Sequence, residues 1–479
     1  MKKRLIAALL CVALVPRSFS QSLPDLGDSA SSDLSPLAEQ RIGAQIMRDI
    51  RWKDPAYLQD AEVEDYLNIL GDRLVAAGPG AGLPFEFFGV NDPSLNAFAM
   101  PGGKIGVHTG LILAAQGESE LAGVMSHEIA HVTQRHIARM VGKQGQFGVL
   151  MLASLLVAIL AAKSSSQVSQ AAIMTGQAAG LSSQLAYSRD FENEADRLGV
   201  QNLAAADFDV RGMPSFFERL QKNSRLYENN APAYLRTHPL TGERITEMES
   251  RVASMPYRQV PDSLDFQLVR AKLKVGRMAS REVVEEFERA ARATPPTVAA
   301  QYGLVRAYLS TKRLADADRA MADLRKQRVV SAMIDGLEGD LRLAHDDPAG
   351  AAKVFAQARV RFPQSRRLIY GELGALVDAG RPGDALTVAK AEVLTTPGNA
   401  TLWELRARAE AALGKRLAQH RSLAEVYAIQ GNYAASAQQL SLAQAAGDGD
   451  FFEHSAVDSR LREVSALLAE QLRERREQR

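Results

Sequence analysis

At 479 residues the chain is too long for one ordinary domain, and its apolar share of 46% and charged share of 24% are those of a globular protein. A net charge of +1 with no basic block argues against nucleic acid as a partner. The single cysteine, Cys11, excludes an intrachain disulfide framework.

Lys2, Lys3 and Arg4 precede an apolar run from Leu5 to Val15, and Ser18 and Ser20 supply small residues around a cleavage point. This pattern predicts a secretory signal peptide over residues 1–20, too short to span a bilayer, with a retained anchor as the alternative. Leu9 and Leu10 are not the small residues that precede a lipid-bearing cysteine. Cleavage would leave a slightly acidic, cysteine-free chain that must hold itself by core burial in an oxidising compartment. Residues 21–35, rich in Ser, Asp and Pro, read as a disordered lead-in.

From Pro36 to Ala77 the apolar period is helical, carried by Leu37, Ile42, Ile46 and Ile50 and then by Val63, Tyr66, Leu67, Leu70 and Leu74. The glycine-rich stretch 78–82 ends it. Phe85–Val90 and Lys104–Thr109 read as strands, the second half-buried because Ile105, Val107 and Thr109 alternate with Gly106 and His108. Between them lies Asn96-Ala97-Phe98-Ala99-Met100-Pro101-Gly102-Gly103. A strand leading straight to the next helix can offer a free edge to an extended peptide, and Asn96, Ala97, Phe98 and Ala99 are the candidate substrate edge. An ordinary core hairpin is the other reading.

The run from about Glu118 to Met140 is helical and contains His127-Glu128-Ile129-Ala130-His131. Residues four apart share one face of a helix, so His127 and His131 can grip one zinc ion. Glu128 cannot easily reach that metal, but can take a proton from a water beside it and pass it to a leaving amine. A catalytic zinc needs a third protein ligand and an open position. Farther on, Glu192 and Asp196 lie four apart in a helix opening near Tyr187. Glu192 is the candidate third ligand, with Glu194 as its rival, and Asp196 is placed to fix the tautomer of a ligand imidazole. His136, five residues past His131, turns off the ligand face and reads as structural.

Between these ligands, residues 147–162 form sixteen uncharged positions, short of the roughly 20 that a spanning helix needs. Residues 145–185 read as a mobile helical excursion that covers the site, touches a membrane surface or meets a partner, with a true span as the alternative. An amphipathic helix follows over Pro214–Ser224. Arg236-Thr237-His238-Pro239 then forms a loop in which His238 must be extended, a packed loop histidine or a functional one.

From about residue 259 the chain becomes an alanine- and leucine-rich array of helix pairs. Gly339, Ala351, Phe355, Ala358 and Pro363 fit a 34-residue tetratricopeptide unit. Pro397 and Ala385 continue its register. Leu304, Tyr308 and Ala317 fit an earlier unit, and Tyr427, Asn432, Leu440 and Ala443 a later one. Such a stack offers a concave binding surface. Residues 457–479 read as a charged terminal helix.

Together, His127-Glu128-x-x-His131, Glu192-x-x-x-Asp196, Asn96-Ala97-Phe98-Ala99-x-Pro101-Gly102-Gly103 and Arg236-Thr237-His238-Pro239 resemble the secreted, repeat-bearing branch of the Ste24/HtpX-like zinc metallopeptidases. The resemblance covers about residues 35–255 with specific motifs and the repeats more loosely. It implies a mainly α chain: an α+β peptidase domain of gluzincin type with a small sheet, over 36–258, then a tetratricopeptide-like helical domain, over 259–479. It implies one Zn2+ per chain held by His127, His131 and Glu192, with Glu128 catalytic. It further implies that His238 can occupy the open metal position as a latch, supported by Arg244. The partners implied are misfolded or stalled outer-membrane proteins, with the β-barrel assembly machinery reached through the repeats. The competing readings are a chaperone or scaffold whose peptidase site is rarely open, and an integral membrane peptidase using 147–162.

Overall fold

The computed structural model describes residues 34–80, 82–142, 188–225, 233–278 and 280–477. The expected signal peptide, the expected lead-in up to residue 33 and the expected excursion with its apolar run 147–162 lie outside these. No helix among the described residues is long and apolar enough to cross a membrane.

The last residues of the lead-in already pack: Leu34 is buried against Ala138, and Ser35 caps α1 (Pro36–Lys53), its Oγ accepting the Ala38 N–H. Helix α2 (Ala61–Ala77) starts at Asp60, whose carboxylate accepts the N–H groups of Glu62 and Val63. Both caps satisfy donors that a helix start leaves orphaned.

Three strands follow where two are expected: β1 (Glu86–Val90), β2 (Ala97–Met100) and β3 (Lys104–His108). They lie in the order β1-β3-β2, β3 running parallel to β1 and antiparallel to β2. The unexpected strand is Ala-Phe-Ala-Met, whose apolar run shows no period of two. Gly102 and Gly103, both left-handed at φ +72° and +75°, turn it back onto β3. The candidate edge residues Ala97, Phe98 and Ala99 lie in this strand, β2. Strand β3 is central and bonded on both sides, so the sheet edge belongs to β2. The Asn96 carbonyl accepts the His108 N–H at 3.0 Å. Alternate residues of β2 therefore bond β3, and the backbone groups of Ala97 and Ala99 point away from it. Nor is β3 half-buried. Phe87, Ile105 and Val107 pack towards α2, while Phe88, Phe98 and Met100 meet Ile46, Met47 and Ile50 of α1. Both faces are covered, and the period of two reports two apolar layers rather than water.

A short helix α3 (Thr109–Ala114) leads into α4 (Glu118–Thr133), which is buried along nearly its whole length. The expected single helix to Met140 breaks because Arg135 takes a left-handed conformation, φ +52°. A new helix α5 (His136–Gly142) departs from there. Helices α6 (Arg189–Ala205), α7 (Gly212–Arg225), α8 (Ala233–Thr237) and α9 (Gly242–Ala253) complete this part.

The remainder is a solenoid. Its helices are α10 (Leu264–Arg277), α11 (Ser280–Ala291), α12 (Val298–Ser310), α13 (Leu314–Lys326), α14 (Ala332–Ala344) and α15 (Pro348–Arg361). They continue as α16 (Arg366–Asp378), α17 (Pro382–Thr395), α18 (Ala400–Ala412), α19 (Arg416–Ile429), α20 (Tyr433–Gln444) and α21 (Phe451–Glu477). The turns between paired helices carry left-handed residues at Lys312, Asp346, Gly380 and Gly414, each 34 residues after the last. Gly339 sits where a Cβ would fall 2.3 Å from the Phe355 ring, so its missing side chain lets α14 and α15 close on each other. After Gly414 the next left-handed glycine, Gly431, comes 17 residues on, and the 34-residue register ends.

The two parts do not meet across a polar seam. One apolar cluster runs from Val63 and Leu67 of α2 through Val124 and Met125 of α4 to Phe266 of α10 and Leu337 of α14. Ion pairs add to it. Lys272 binds Asp60 and Glu62, and Arg366 binds Asp65 and Glu64.

Candidate metal centre

Helix α4 carries His127 and His131 one turn apart on the face that crosses α6. The crossing is close: a Cβ on Gly199 of α6 would stand 3.2 Å from the His127 backbone nitrogen. Ser188 caps α6 through the Phe191 N–H, and Glu192 in its first turn reaches over both imidazoles. The two Nε2 atoms are 2.9 Å apart. Glu192 Oε2 lies 3.6 Å from His127 Nε2, and Oε1 lies 3.6 Å from His131 Nε2.

His238 completes the group. Its backbone N–H donates to the Tyr234 carbonyl at 2.8 Å as α8 ends, and its ring stacks on Tyr234 with centroids 4.5 Å apart. Its Nδ1 lies 3.0 Å from Glu192 Oε1 and 3.4 Å from His127 Nε2, while Nε2 lies 3.6 Å from Glu128 Oε1. One donor atom each from His127, His131, Glu192 and His238 falls within 4.8 Å of the others, all buried. Three imidazoles and a carboxylate are a zinc-type donor set. Two lone pairs 2.9 Å apart need a proton or a cation between them, so the residues fit a metal.

The supports are equally ordered. Asp196 Oδ1 lies 3.0 Å from His127 Nδ1. Arg244 forks onto Asp196, Nε donating to Oδ2 at 2.7 Å and Nη2 to Oδ1 at 2.8 Å. Its Nη1 donates to the Pro239 carbonyl at 2.7 Å and stands 2.7 Å from Glu192 Oε2. One guanidinium thus ties the His238 loop to the helix bearing Glu192. Both Glu128 carboxylate oxygens and the Tyr234 hydroxyl are buried with no hydrogen-bond partner among the described residues.

Burial alone would depress His127, but Asp196 and Glu192 outweigh it and lift its pKa to about 9. Burial, with His127 beside it, pushes His131 well below its ordinary value. For Glu192, burial works upward and is overcome by His238 and His127, which hold the carboxylate ionised. Asp196 likewise stays low, burial being outweighed by His127 and Arg244.

Two placements, those of His136 and Tyr234, differ from the sequence reading or were missed by it. Glu194, the rival ligand, stays out of the cluster and binds Arg139 and His136 instead. His136 stays outside the metal group, but its ring returns to His131, Nδ1 lying 2.9 Å from His131 Nδ1. The five-residue spacing misleads because the helix ends between them. Tyr234 carried no motif; its place four residues before His238 was the available signal. At the sheet edge, Asn96 Nδ2 lies 3.4 Å from His108 Nε2, and Ala97, Phe98 and Ala99 are buried in β2.

The profile of Peptidase family M48 matches residues 61–252. The chain is 31% identical to the Beta-barrel assembly-enhancing protease of Escherichia coli, with 98% of this chain and 97% of that protein covered. It is 30% identical to the protein of the same name in Yersinia pestis, over 93% and 92%. The Mitochondrial metalloendopeptidase OMA1 of Arabidopsis thaliana matches at 28% over half of this chain and 48% of its own length. Among solved structures, a tetratricopeptide repeat protein from Parabacteroides merdae covers 52% of this chain and is itself 98% covered, with a TM-score of 0.29 at 12% identity.

Proposed function

The chain belongs to peptidase family M48 and is a zinc metalloprotease; from that premise we propose a periplasmic endopeptidase, latched at rest, that cleaves misfolded or stalled outer-membrane proteins and supports their assembly. His127, His131 and Glu192 would hold the zinc. When bound, zinc supplies Lewis acidity, polarising the scissile carbonyl and lowering the pKa of the attacking water. Glu128 takes that water's proton and delivers it to the leaving amine, and its buried, unpartnered carboxylate suits a group waiting for this proton. Asp196 holds His127 in the tautomer that keeps Nε2 free for the metal. The outward backbone of Ala97 and Ala99 on β2 lines up an extended substrate by strand addition.

The observation that carries the latch is the position of His238. It stands between the ligand group and Glu128, 3.0 Å from Glu192 and 3.6 Å from the general base. A fourth protein donor there takes the place the reaction needs for water. Arg244, bonded to the Pro239 carbonyl, braces the latch.

Outer-membrane substrates are proposed because the two full-length relatives carry beta-barrel assembly in their names. The solenoid's stacked helix pairs would engage such clients or the assembly machinery. Proteolysis of an unfolded test protein checks the core of the reading. Wild type is expected to cut slowly and His238→Ala faster. Glu128→Gln and chelator-stripped enzyme are expected to be inactive, with zinc restoring the latter. A His238→Ala enzyme slower than wild type would overturn the latch, and an active Glu128→Gln would overturn the mechanism.

A further inference from the structure

The ligand His131 makes a contact that the proposed mechanism leaves unused. Its Nε2 faces the metal group, 2.9 Å from His127 Nε2. A neutral imidazole that offers a lone pair at Nε2 carries its proton at Nδ1. That Nδ1 lies 2.9 Å from His136 Nδ1, so the His136 nitrogen must accept. The proton of His136 then sits on its Nε2, 3.1 Å from Glu194 Oε2. An ionised carboxylate only accepts, and this one also receives Arg139 Nη1 at 3.0 Å. Every donor and acceptor in the relay from His131 through His136 to Glu194 thus runs in one direction.

The same group fastens two helices. His136 stacks on Phe191 with centroids 4.4 Å apart and planes 12° apart, and the Arg139 guanidinium lies 4.5 Å from the Phe191 centroid. Phe191 immediately precedes Glu192. The left-handed turn at Arg135 is what brings the His136 ring back against His131.

We infer that His136 is a positioning residue for the metal, fixing the ring and tautomer of His131 and handing that restraint to the carboxylate of Glu194. The inference rests on His131 being a zinc ligand. His127 is held by a carboxylate directly, whereas His131 is held by a carboxylate through a second imidazole. Outer partners of this kind typically matter 10- to 100-fold for metal affinity.

The test is zinc affinity of the full mature chain, read by competition with a chromophoric chelator, beside the visible spectrum of the cobalt(II)-loaded protein and the melting temperature of the metal-free form. His136→Phe keeps the ring stacked on Phe191 and removes both nitrogens. Its zinc affinity is expected to fall about 10- to 100-fold, with a shifted cobalt spectrum and a metal-free melting temperature close to wild type. His136→Asn, whose Oδ1 can accept near the Nδ1 position, is expected to recover part of the loss. Should His136→Phe fail to fold, Glu194→Ala at the rim of the relay reads the same chain, with an expected loss of about tenfold. Zinc affinity within about twofold of wild type overturns the inference, as does a variant that loses metal-free stability while binding zinc normally. A wild type that binds no zinc overturns the metal-centre reading itself.

Discussion

At the scale of single residues the centre is a set of compensated charges. In the metal-free protein His127 holds its extra proton up to about pH 9, because Asp196 and Glu192 flank it more strongly than burial opposes it. Zinc must expel that proton. Binding at pH 7 is therefore expected to release about one proton, and apparent affinity to climb roughly tenfold per pH unit towards pH 9. Calorimetry in two buffers of different protonation enthalpy measures both. The stability sign follows from a folded pKa lying above the ordinary 6.5. The stabilisation is full below 6.5 and is lost as pH rises through about 9, so metal-free protein should melt lower at pH 9.5 than at pH 7. Glu192 and Asp196 are held low, so their contribution is present above the ordinary carboxylate range and disappears in acid. Arg244 is 4% exposed and serves Asp196, Glu192 and the Pro239 carbonyl at once. Arg244→Ala would strand two buried carboxylates, and about 3–5 kcal/mol of destabilisation is expected from urea midpoints. Arg244→Lys restores the charge but not the fork, and should recover only part of it.

At the scale of elements, the edge strand and the repeat turns give separable tests. Ala99 turns its N–H away from β3, so Ala99→Pro removes an outward donor without touching a ladder bond. A fall of about 2- to 10-fold in kcat/KM on an extended peptide is expected, with melting nearly unchanged, as befits one hydrogen bond. A change in melting without a change in kcat/KM would remove β2 from substrate binding. Gly380 lies in a left-handed turn where an added Cβ would meet nothing within 4 Å. Gly380→Ala therefore isolates backbone strain and should cost about 1–2 kcal/mol by urea unfolding.

At the scale of the whole molecule, the peptidase part and the first repeats share one apolar core, from Val63 to Leu341. Cutting the chain at residue 258 would bare the partners of Phe266, Leu268 and Val269, all fully buried. The isolated peptidase part is expected to be unstable or insoluble, and hydrogen exchange on the full chain should show α2, α4 and α10 opening as one unit. Protection that separates at residue 258 would contradict this.

The sequence by itself determined the candidate chemistry-bearing residues and most of the element types. His127, Glu128 and His131 are adjacent on one helix, and helical spacing alone puts two imidazoles on one face. The 34-residue period was readable at Gly339, Phe355 and Ala385, because close helix packing imposes small residues at fixed intervals. What spacing could not decide was anything that depends on where the chain stops being regular. The edge belongs to β2 because two left-handed glycines fold it back. His136 reaches His131 because Arg135 breaks the helix, and a periodic reading carried through that break points the ring the wrong way. The convergence of Glu192 and His238 on α4 joins residues up to 111 positions apart in sequence, and local pattern carries no information about such distances. The shared core lay equally beyond pattern, since apolar residues advertise that they are buried but not against which partner.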